Sequence, residues 1–145
     1  MKIAISSIIK NEQPYLEQWI TYHLALGIDD IYLVEDTGSD SHSEITDKYE
    51  HVHLYQLNDL IEDADFKRKT IQADVANLFA AMLKNKFDWM TFMDIDEYIV
   101  CCEDLKDILN KYSDTDAIRM TWLTFNSNGH FYKPEGGDIK NYTVT

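Results

Sequence analysis

The sequence has little cysteine and no long apolar run. Its two cysteines, Cys101 and Cys102, are adjacent, and no CxxC pair or Cys/His cluster with zinc-ligand spacing occurs. This pattern excludes a structural zinc module and favours a reducing cytoplasm. No apolar run approaches the ~20 residues needed to span a bilayer. We therefore expect no transmembrane segment, with peripheral association at the inner face of a membrane as the alternative location.

Basic charge is also scarce. Thirteen Lys and Arg residues stand against 26 Asp and Glu residues, which gives a net charge of −13. This charge opposes attraction to nucleic acid phosphates, so we expect no nucleic-acid partner, and an anionic ligand would need cations held locally. We expect residues 1–145 to form one domain, because 145 residues is a usual length for a single domain and 45% of them are hydrophobic, enough to build a core. No internal repeat is visible.

Apolar runs alternate with helical periodicities along the chain. Runs rich in β-branched residues predict strands at 3–9, 31–34, 52–57, 89–93 and 117–125. Apolar spacings of three and four residues predict a helix opened by Pro14 and closed by Gly27, a long helix at 71–86, and short helices at 43–49 and 105–109. This alternation predicts an α/β fold with a mainly parallel sheet. The sequence stops at residues 142–145 in the middle of a β-rich pattern, so we expect the chain to be the front part of a longer protein.

Polar clusters follow three of the predicted strands. They are Lys10-Asn11-Glu12, Glu35-Asp36 and Asp94-Ile95-Asp96. Parallel α/β sheets bind ligands just beyond the carboxyl ends of their strands, so these clusters should meet at one edge of the sheet. Asn11 and Glu12 could instead cap the Pro14 helix, and the second cluster could serve only a turn.

The Asp-x-Asp cluster suits a hard divalent cation. In an extended segment Asp94 and Asp96 share a face while Ile95 turns back to the core. Mg²⁺ or Mn²⁺ takes one or two protein carboxylates and completes its shell with water and phosphate oxygens. Such an ion would let an acidic chain hold a diphosphate, with Lys10 or the run 67–69 (Lys-Arg-Lys) as helpers. A bare Asp-x-Asp is weak by itself, since it occurs by chance in acidic chains.

Three segments together resemble GT-A nucleotide-sugar glycosyltransferases of the family 2-like and family 92-like group. KNEQPYLEQWITYHLALGIDDIYLVEDTGSD resembles the opening of these enzymes, DWMTFMDIDEYI their W...DxDEF metal motif, and TWLTFNSNGHFYKPEG the W..FGs.Gh segment that follows. The sequence departs from the pattern at Tyr98, where Phe is usual, and at Phe125-Asn126, where FG is usual. The resemblance covers nearly the whole chain.

The resemblance implies a fold and a donor site. The fold would be a Rossmann-like GT-A three-layer sandwich with a mainly parallel sheet, and residues 1–145 would be the N-terminal portion of a longer catalytic domain. Asn11 and Glu12 would lie near the nucleoside of a nucleoside diphosphate sugar, most simply a UDP-sugar. Glu35 and Asp36 would approach its base and ribose.

The resemblance also assigns the metal and the acceptor side. Asp94 would lie by the ribose and the water shell of Mn²⁺ or Mg²⁺, and Asp96 would be the direct metal ligand. His130 would face the acceptor, a glycan or another hydroxyl compound. Transfer with inversion needs a base, for which Glu97 is the in-chain candidate and Glu135 or a residue beyond Thr145 the alternative.

Other interpretations remain open. A haloacid dehalogenase-like phosphohydrolase with Asp94 as nucleophile would also follow a hydrophobic strand with Asp-x-Asp, although that class places the motif near its N-terminus. A nucleotide-sugar-binding module without turnover is the other alternative. An EF-hand loop is excluded, because Ile99 stands where its glycine belongs. We expect Trp19, Tyr22 and His23, at helical spacing, to be core residues.

Overall fold

The computed structural model describes residues 1–38, 41–60, 70–132 and 134–143. Its strands are β1 (Ile3–Ile9), β2 (Asp30–Glu35), β3 (Val52–Gln56) and β4 (Trp89–Phe92), and its helices are α1 (Gln13–Leu26), α2 (Ser43–Thr46), α3 (Leu57–Leu60), α4 (Ile71–Leu83), α5 (Leu105–Asn110) and α6 (Asp138–Asn141). Within the described residues the strands form one parallel sheet in the order β3-β2-β1-β4.

The two central strands, β1 and β2, are buried on both faces of the sheet. Because side chains alternate along a strand, Ile5 of β1 packs in one core cluster with Trp19 of α1, while its neighbour Ala4 packs in a second cluster with Phe79 of α4. Helices on both faces of a parallel sheet make an α/β Rossmann-like fold, and that prediction is confirmed. No helix among the described residues is long and apolar enough to cross a bilayer.

Helix α1 begins and ends where the sequence predicts. Pro14 lies in its first turn, where a missing N–H costs nothing. Gly27 follows its last residue with φ 103°, and the N–H of Ile28 reaches back to the His23 carbonyl at 3.1 Å. The left-handed conformation of Gly27 lets backbone N–H groups reach the free carbonyls of the last helical turn, and it turns the chain toward β2.

The predicted strand at 117–125 is wrong. This segment has no regular secondary structure, and its large apolar residues are exposed, among them Trp122 at 79% and Leu123 at 72%. Alternating apolar residues form a strand only when a neighbour supplies backbone hydrogen bonds, and no other described segment pairs with this one. The predicted β-rich end is wrong for the residues described there, since α6 occupies Asp138–Asn141.

Candidate functional site

The strand order creates a crevice between β1 and β4. The chain leaves β1 toward β2 on one side and later returns to place β4 on the other side. At the carboxyl edge, the loops that follow two such neighbouring strands run in opposite directions and leave a gap between them. This position is called the topological switch point, and parallel α/β sheets bind ligands there. The loop after β1 carries Asn11 and Glu12, and the loop after β4 carries the Asp94–Asp96 segment.

Asp94, Ile95 and Asp96 lie in a turn and not in an extended segment. The Asp94 carbonyl accepts the Glu97 N–H at 3.1 Å, and the Asp94 N–H donates to the Glu97 carboxylate at 3.1 Å. These reciprocal bonds curl the chain directly after β4, which the alternation rule for extended residues did not foresee. Ile95 is buried at 4% exposure, as predicted, and both aspartates stay exposed.

The two aspartates are chemically suited to a hard cation. Among the described residues neither forms an ion pair with a lysine, arginine or histidine, and the side chain of Asp94 accepts a long 3.5 Å contact from the Gln72 amide. The described chain holds no group of three His, Cys, Asp or Glu residues arranged for a metal. Two carboxylates nevertheless fit Mn²⁺ or Mg²⁺, whose remaining ligands are water and phosphate oxygens.

Glu12 shares the crevice with the aspartates. Its carbonyl accepts the Leu16 N–H at 2.9 Å and so begins α1, while its side chain makes no capping bond to the helix. Partial burial raises the pKa of the Glu12 carboxyl, and the negative charges of Asp96 and Asp94 raise it further. Asn11, beside it, has φ 56°, a left-handed conformation. The carboxylate of Glu12 therefore faces the acidic turn and is not a helix cap.

Glu97 lies in the same negative field. Partial burial raises its pKa, the Asp94 N–H opposes that change, and the charges of Asp94 and Asp96 raise it again. Its predicted role as base stays a prediction. The shared field of these carboxylates is what a bound divalent cation would neutralise.

Glu35 lies buried behind the crevice with 5% exposure. Burial alone would raise its pKa, but hydrogen bonds from Gln56 and His42 bring the pKa below its ordinary value. Oε1 accepts the backbone N–H of His42 at 2.9 Å, and Oε2 accepts the Gln56 amide. Both carboxylate oxygens thus already serve the protein, and a contact with nucleotide stays a prediction.

Asp36 and Lys10 form an exposed pair at the same edge. The Lys10 ammonium lies 2.8 Å from the Asp36 carboxylate and also donates to the Thr37 carbonyl at 3.2 Å. An exposed ion pair contributes roughly 0–1 kcal/mol, so a ligand can compete for either partner. The other predicted helpers, residues 67–69, lie outside the described residues.

His130 and Glu135 lie on an exposed part of the chain. The His130 N–H donates to the Ser127 carbonyl at 2.9 Å, and the imidazole meets the Tyr142 ring edge-on at 6.2 Å between centroids. Glu135 is exposed and its carbonyl accepts the Asn141 amide. The structure does not bring His130 or Glu135 into contact with the acidic turn, so their roles stay predictions.

Helix α1 holds the loop that follows the acidic turn. The Trp19 indole N–H donates to the Glu97 carbonyl and the Tyr22 hydroxyl to the Ile99 carbonyl, both at 2.8 Å. Nε2 of His23 accepts the Ile99 N–H at 3.4 Å. Trp19 and His23 are fully buried, so their predicted place in the core is confirmed, and their polar atoms additionally fix the acidic turn.

Four residues of this region were missed in the sequence. Gln56 ends β3, so the rule that singled out the other strand ends would have found it. His42 and Gln72 left no local signal, because their partners come from other elements. Asp138 of α6 is also absent from the motifs, although its charge raises the pKa of Glu12.

A cavity of about 210 Å³ adjoins the crevice on the α4 side. Its lining includes Gln72, Asp94 and Glu97 together with the exposed Trp122. Ser6 of β1 also lines it, and its buried hydroxyl has no hydrogen-bond partner in the described part of the chain. A polar group left unsatisfied at the wall of a cavity is suited to a ligand or a water molecule.

The chain is similar to known proteins of one family. It matches glycosyltransferase family 92 over residues 3–141. A family 92 protein of Oryza sativa subsp. japonica is 21% identical over 152 residues, which cover 97% of this chain and 24% of that protein. A family 92 protein of Ricinus communis is 22% identical over 160 residues, which cover 98% of this chain and 26% of that protein.

The chain thus spans about a quarter of the length of these curated relatives. No solved structure matches it. The family match nevertheless extends over almost the whole sequence and includes all three segments that resemble such enzymes. The chain belongs to glycosyltransferase family 92.

Proposed function

We propose that the chain binds the donor of a metal-dependent glycosyltransferase, which transfers a sugar from a nucleoside diphosphate sugar to a glycan or related hydroxyl acceptor. The donor we propose is a UDP-sugar. The observation that carries the proposal is the exposed pair Asp94 and Asp96, which lies at the switch point of a parallel sheet in a chain of this family. A phosphohydrolase has no support from the family match.

Asp94 and Asp96 are the residues that would hold Mn²⁺ or Mg²⁺. When bound, the ion supplies Lewis-acid stabilisation of the charge on the departing diphosphate. The reciprocal bonds between Asp94 and Glu97 keep the turn fixed, so the two carboxylates need little rearrangement to bind.

The nucleoside is assigned to the loops on the β1 and β2 side of the crevice. Asn11 and Glu12 border it directly, and the half-buried Asp36 can exchange Lys10 for a ribose or base contact. Lys10, once released, is a cation for the diphosphate. The Ser6 hydroxyl and the Trp122 ring line the adjoining cavity, which offers a donor group and an apolar surface to the sugar.

Proton removal from the acceptor needs a carboxylate with a suitable pKa. Glu97 is the candidate that lies in the crevice, and burial raises its pKa above the ordinary value of a glutamate. One of its oxygens is held by the Asp94 N–H, which aims the other. Glu135, or a residue outside this chain, is the alternative base.

Titration calorimetry with UDP tests the donor site. We expect wild-type chain to bind UDP only with MnCl₂ present, and Asp96→Asn to weaken that binding at least about tenfold, which is about 1.4 kcal/mol. Asp114→Asn, an equal charge change at an exposed position outside the crevice, is the matched control and should bind as wild type.

Binding that is indifferent to Mn²⁺, or equally weak in both variants, would contradict the metal site. Binding without donor hydrolysis or sugar transfer, when an acceptor is supplied, would favour a module that holds the donor without turnover. We assign the activity to the cytoplasm, in agreement with two free cysteines, and allow peripheral contact with the membrane as the alternative.

A further inference from the structure

A polar network with a buried centre joins three neighbouring strands at the carboxyl edge of the sheet. Gln56 ends β3 and donates to Oε2 of Glu35, which ends β2. Oε1 of Glu35 lies 2.6 Å from Nδ1 of His42, and Nε2 of His42 accepts the backbone N–H of Glu12 at 2.9 Å. Glu12 follows β1. The contacts therefore follow the order of the strands and lead across the sheet to the crevice.

His42 is fully buried, and its two ring nitrogens have opposite roles. The Glu35 carboxylate can only accept, so Nδ1 carries the hydrogen. The Glu12 N–H can only donate, so Nε2 is unprotonated. A proton on Nε2 would point at the Glu12 N–H and repel it. Glu35 thus selects the neutral Nδ1–H tautomer, just as a carboxylate orients a histidine that ligates a metal.

The group that His42 holds is the turn between β1 and α1. Asn11 in this turn has φ 56°, in the left-handed region that asparagine adopts more readily than most residues with a side chain. The Glu12 carbonyl at the same time accepts the N–H groups of Tyr15 and Leu16 at 2.9 Å. The bond from Glu12 to His42 therefore fixes the peptide between Asn11 and Glu12, and with it the direction of both side chains.

We propose that His42 is a positioning residue of the donor site, which fixes the Glu12 backbone so that Asn11 and Glu12 stand opposite the Asp94–Asp96 turn. The effect on donor binding rests on the proposed function, whereas the tautomer and its contacts do not. His42 lies behind the crevice with no exposed surface, so it acts through Glu12 and touches no substrate.

Two amide substitutions separate the two ring nitrogens. The amide nitrogen of Asn takes the place of Nδ1, so His42→Asn keeps the donor to Glu35 and loses the acceptor for Glu12. The oxygen of the longer Gln takes the place of Nε2, so His42→Gln keeps the acceptor for Glu12 and loses the donor. The two variants therefore have similar composition and opposite defects.

The measurement is calorimetric titration of each full chain with UDP in the presence of MnCl₂, beside thermal unfolding of the same samples. We expect His42→Gln to bind within about threefold of wild type and His42→Asn at least about tenfold more weakly. Binding should follow the bond to Glu12 and not the unfolding temperature, which the loss of either bond lowers. A purely structural role would make affinity follow stability instead.

Equal weakening in both variants, or none in either, would overturn the positioning role if wild-type chain binds UDP. Failure of folded wild-type chain to bind UDP with Mn²⁺ would instead overturn the proposed function, and the donor-site role of His42 with it. Nitrogen-15 NMR of the unliganded wild-type imidazoles, with His42 assigned by its loss in His42→Gln, tests the network by itself. A protonated Nδ1 and unprotonated Nε2 are expected, and a protonated Nε2 would overturn the proposal.

Discussion

His23 is a buried histidine that holds a backbone N–H of the loop after the acidic turn. Its Nδ1–H donates to the Trp19 carbonyl at 2.9 Å, and its Nε2 accepts the Ile99 N–H. Burial lowers its pKa to about 4, although the bond to Trp19 raises it in part. His23 and His42 thus both work as neutral Nδ1–H imidazoles, and each fixes one of the loops that border the crevice.

The pKa of His23 predicts a loss of stability in acid. Between pH 6.5 and about 4 this imidazole is protonated in the unfolded chain and neutral in the folded chain. The free energy of unfolding therefore falls as the pH falls. At about 1.4 kcal/mol per pH unit that span is worth about 3 kcal/mol. We expect His23→Gln, which keeps an acceptor for Ile99 and cannot titrate, to show a flatter dependence in urea unfolding at pH 7 and pH 4.5. Parallel curves for the two proteins would contradict this.

Loss of the Glu35 carboxylate should destabilise the fold. Its oxygens accept the His42 backbone N–H, the His42 ring N–H and the Gln56 amide. In Glu35→Ala the two buried His42 donors would lose their acceptor, and a buried donor left unsatisfied costs about 1–3 kcal/mol. Urea unfolding should show that loss, and the exposed matched change Glu103→Ala should cost much less. Equal stability of the two variants would contradict the network.

At the scale of elements, α1 both builds the core and fixes the site. Trp19, Tyr22 and His23 recur at helical spacing on the face toward the sheet, and their polar atoms all reach the loop 97–99. A helix near the start of the chain thus positions a loop more than seventy residues later. Its rigidity depends on how its end is closed.

Gly27 tests that closure. At φ 103° a side chain would strain the backbone although a Cβ there meets no neighbouring atom within 4 Å. We expect Gly27→Ala to lower the free energy of unfolding by about 1–2 kcal/mol. Gly27→Asn, which adds a residue that tolerates the left-handed region, should lose less. Chemical denaturation of both variants checks the order, and a more stable Ala variant would contradict it.

At the scale of the whole molecule, the strand order β3-β2-β1-β4 decides where ligands can bind. It sends the loops after β1 and β4 in opposite directions and leaves a crevice between them. Glu12 and the Asp94–Asp96 turn, more than eighty residues apart in the sequence, face each other across that crevice. In a chain of net charge −13 such a cluster repels itself and destabilises the folded state until a cation binds. The proposed ion would relieve this repulsion, so its binding should raise the stability of the folded chain.

This linkage predicts stabilisation by Mn²⁺ and UDP together. At free ligand about 100-fold above the dissociation constant, binding to the folded chain alone adds about 2.7 kcal/mol to the free energy of unfolding. In thermal unfolding we expect a higher midpoint for wild type and a return to the starting value after EDTA. Asp96→Asn, which binds at least about tenfold more weakly, should show at most about half of the wild-type shift. A shift that survives EDTA, or one of equal size in Asp96→Asn, would show that the ligand binds elsewhere.

The local sequence pattern was enough to predict the fold and to predict which edge of the sheet carries the candidate site. Strand and helix periods are set by neighbours within a few residues, and so are the end signals of Pro14 and Gly27, so β1 to β4 and α1 were predictable. Polar residues at strand ends likewise indicated Glu12, Glu35 and the Asp94–Asp96 segment, because the carboxyl ends of parallel strands must meet at one edge.

Long-range partners were decided by tertiary packing alone. Segment 117–125 has the alternation of a strand and is not one, because no described strand lies beside it. The sequence predicts Glu35 as a site residue, but its carboxylate oxygens accept hydrogen bonds from His42 and Gln56. His42 in turn accepts a hydrogen bond from Glu12, thirty residues away in the sequence. A hydrogen bond needs its two atoms within about 3 Å, and a local pattern cannot encode that distance between residues from different elements.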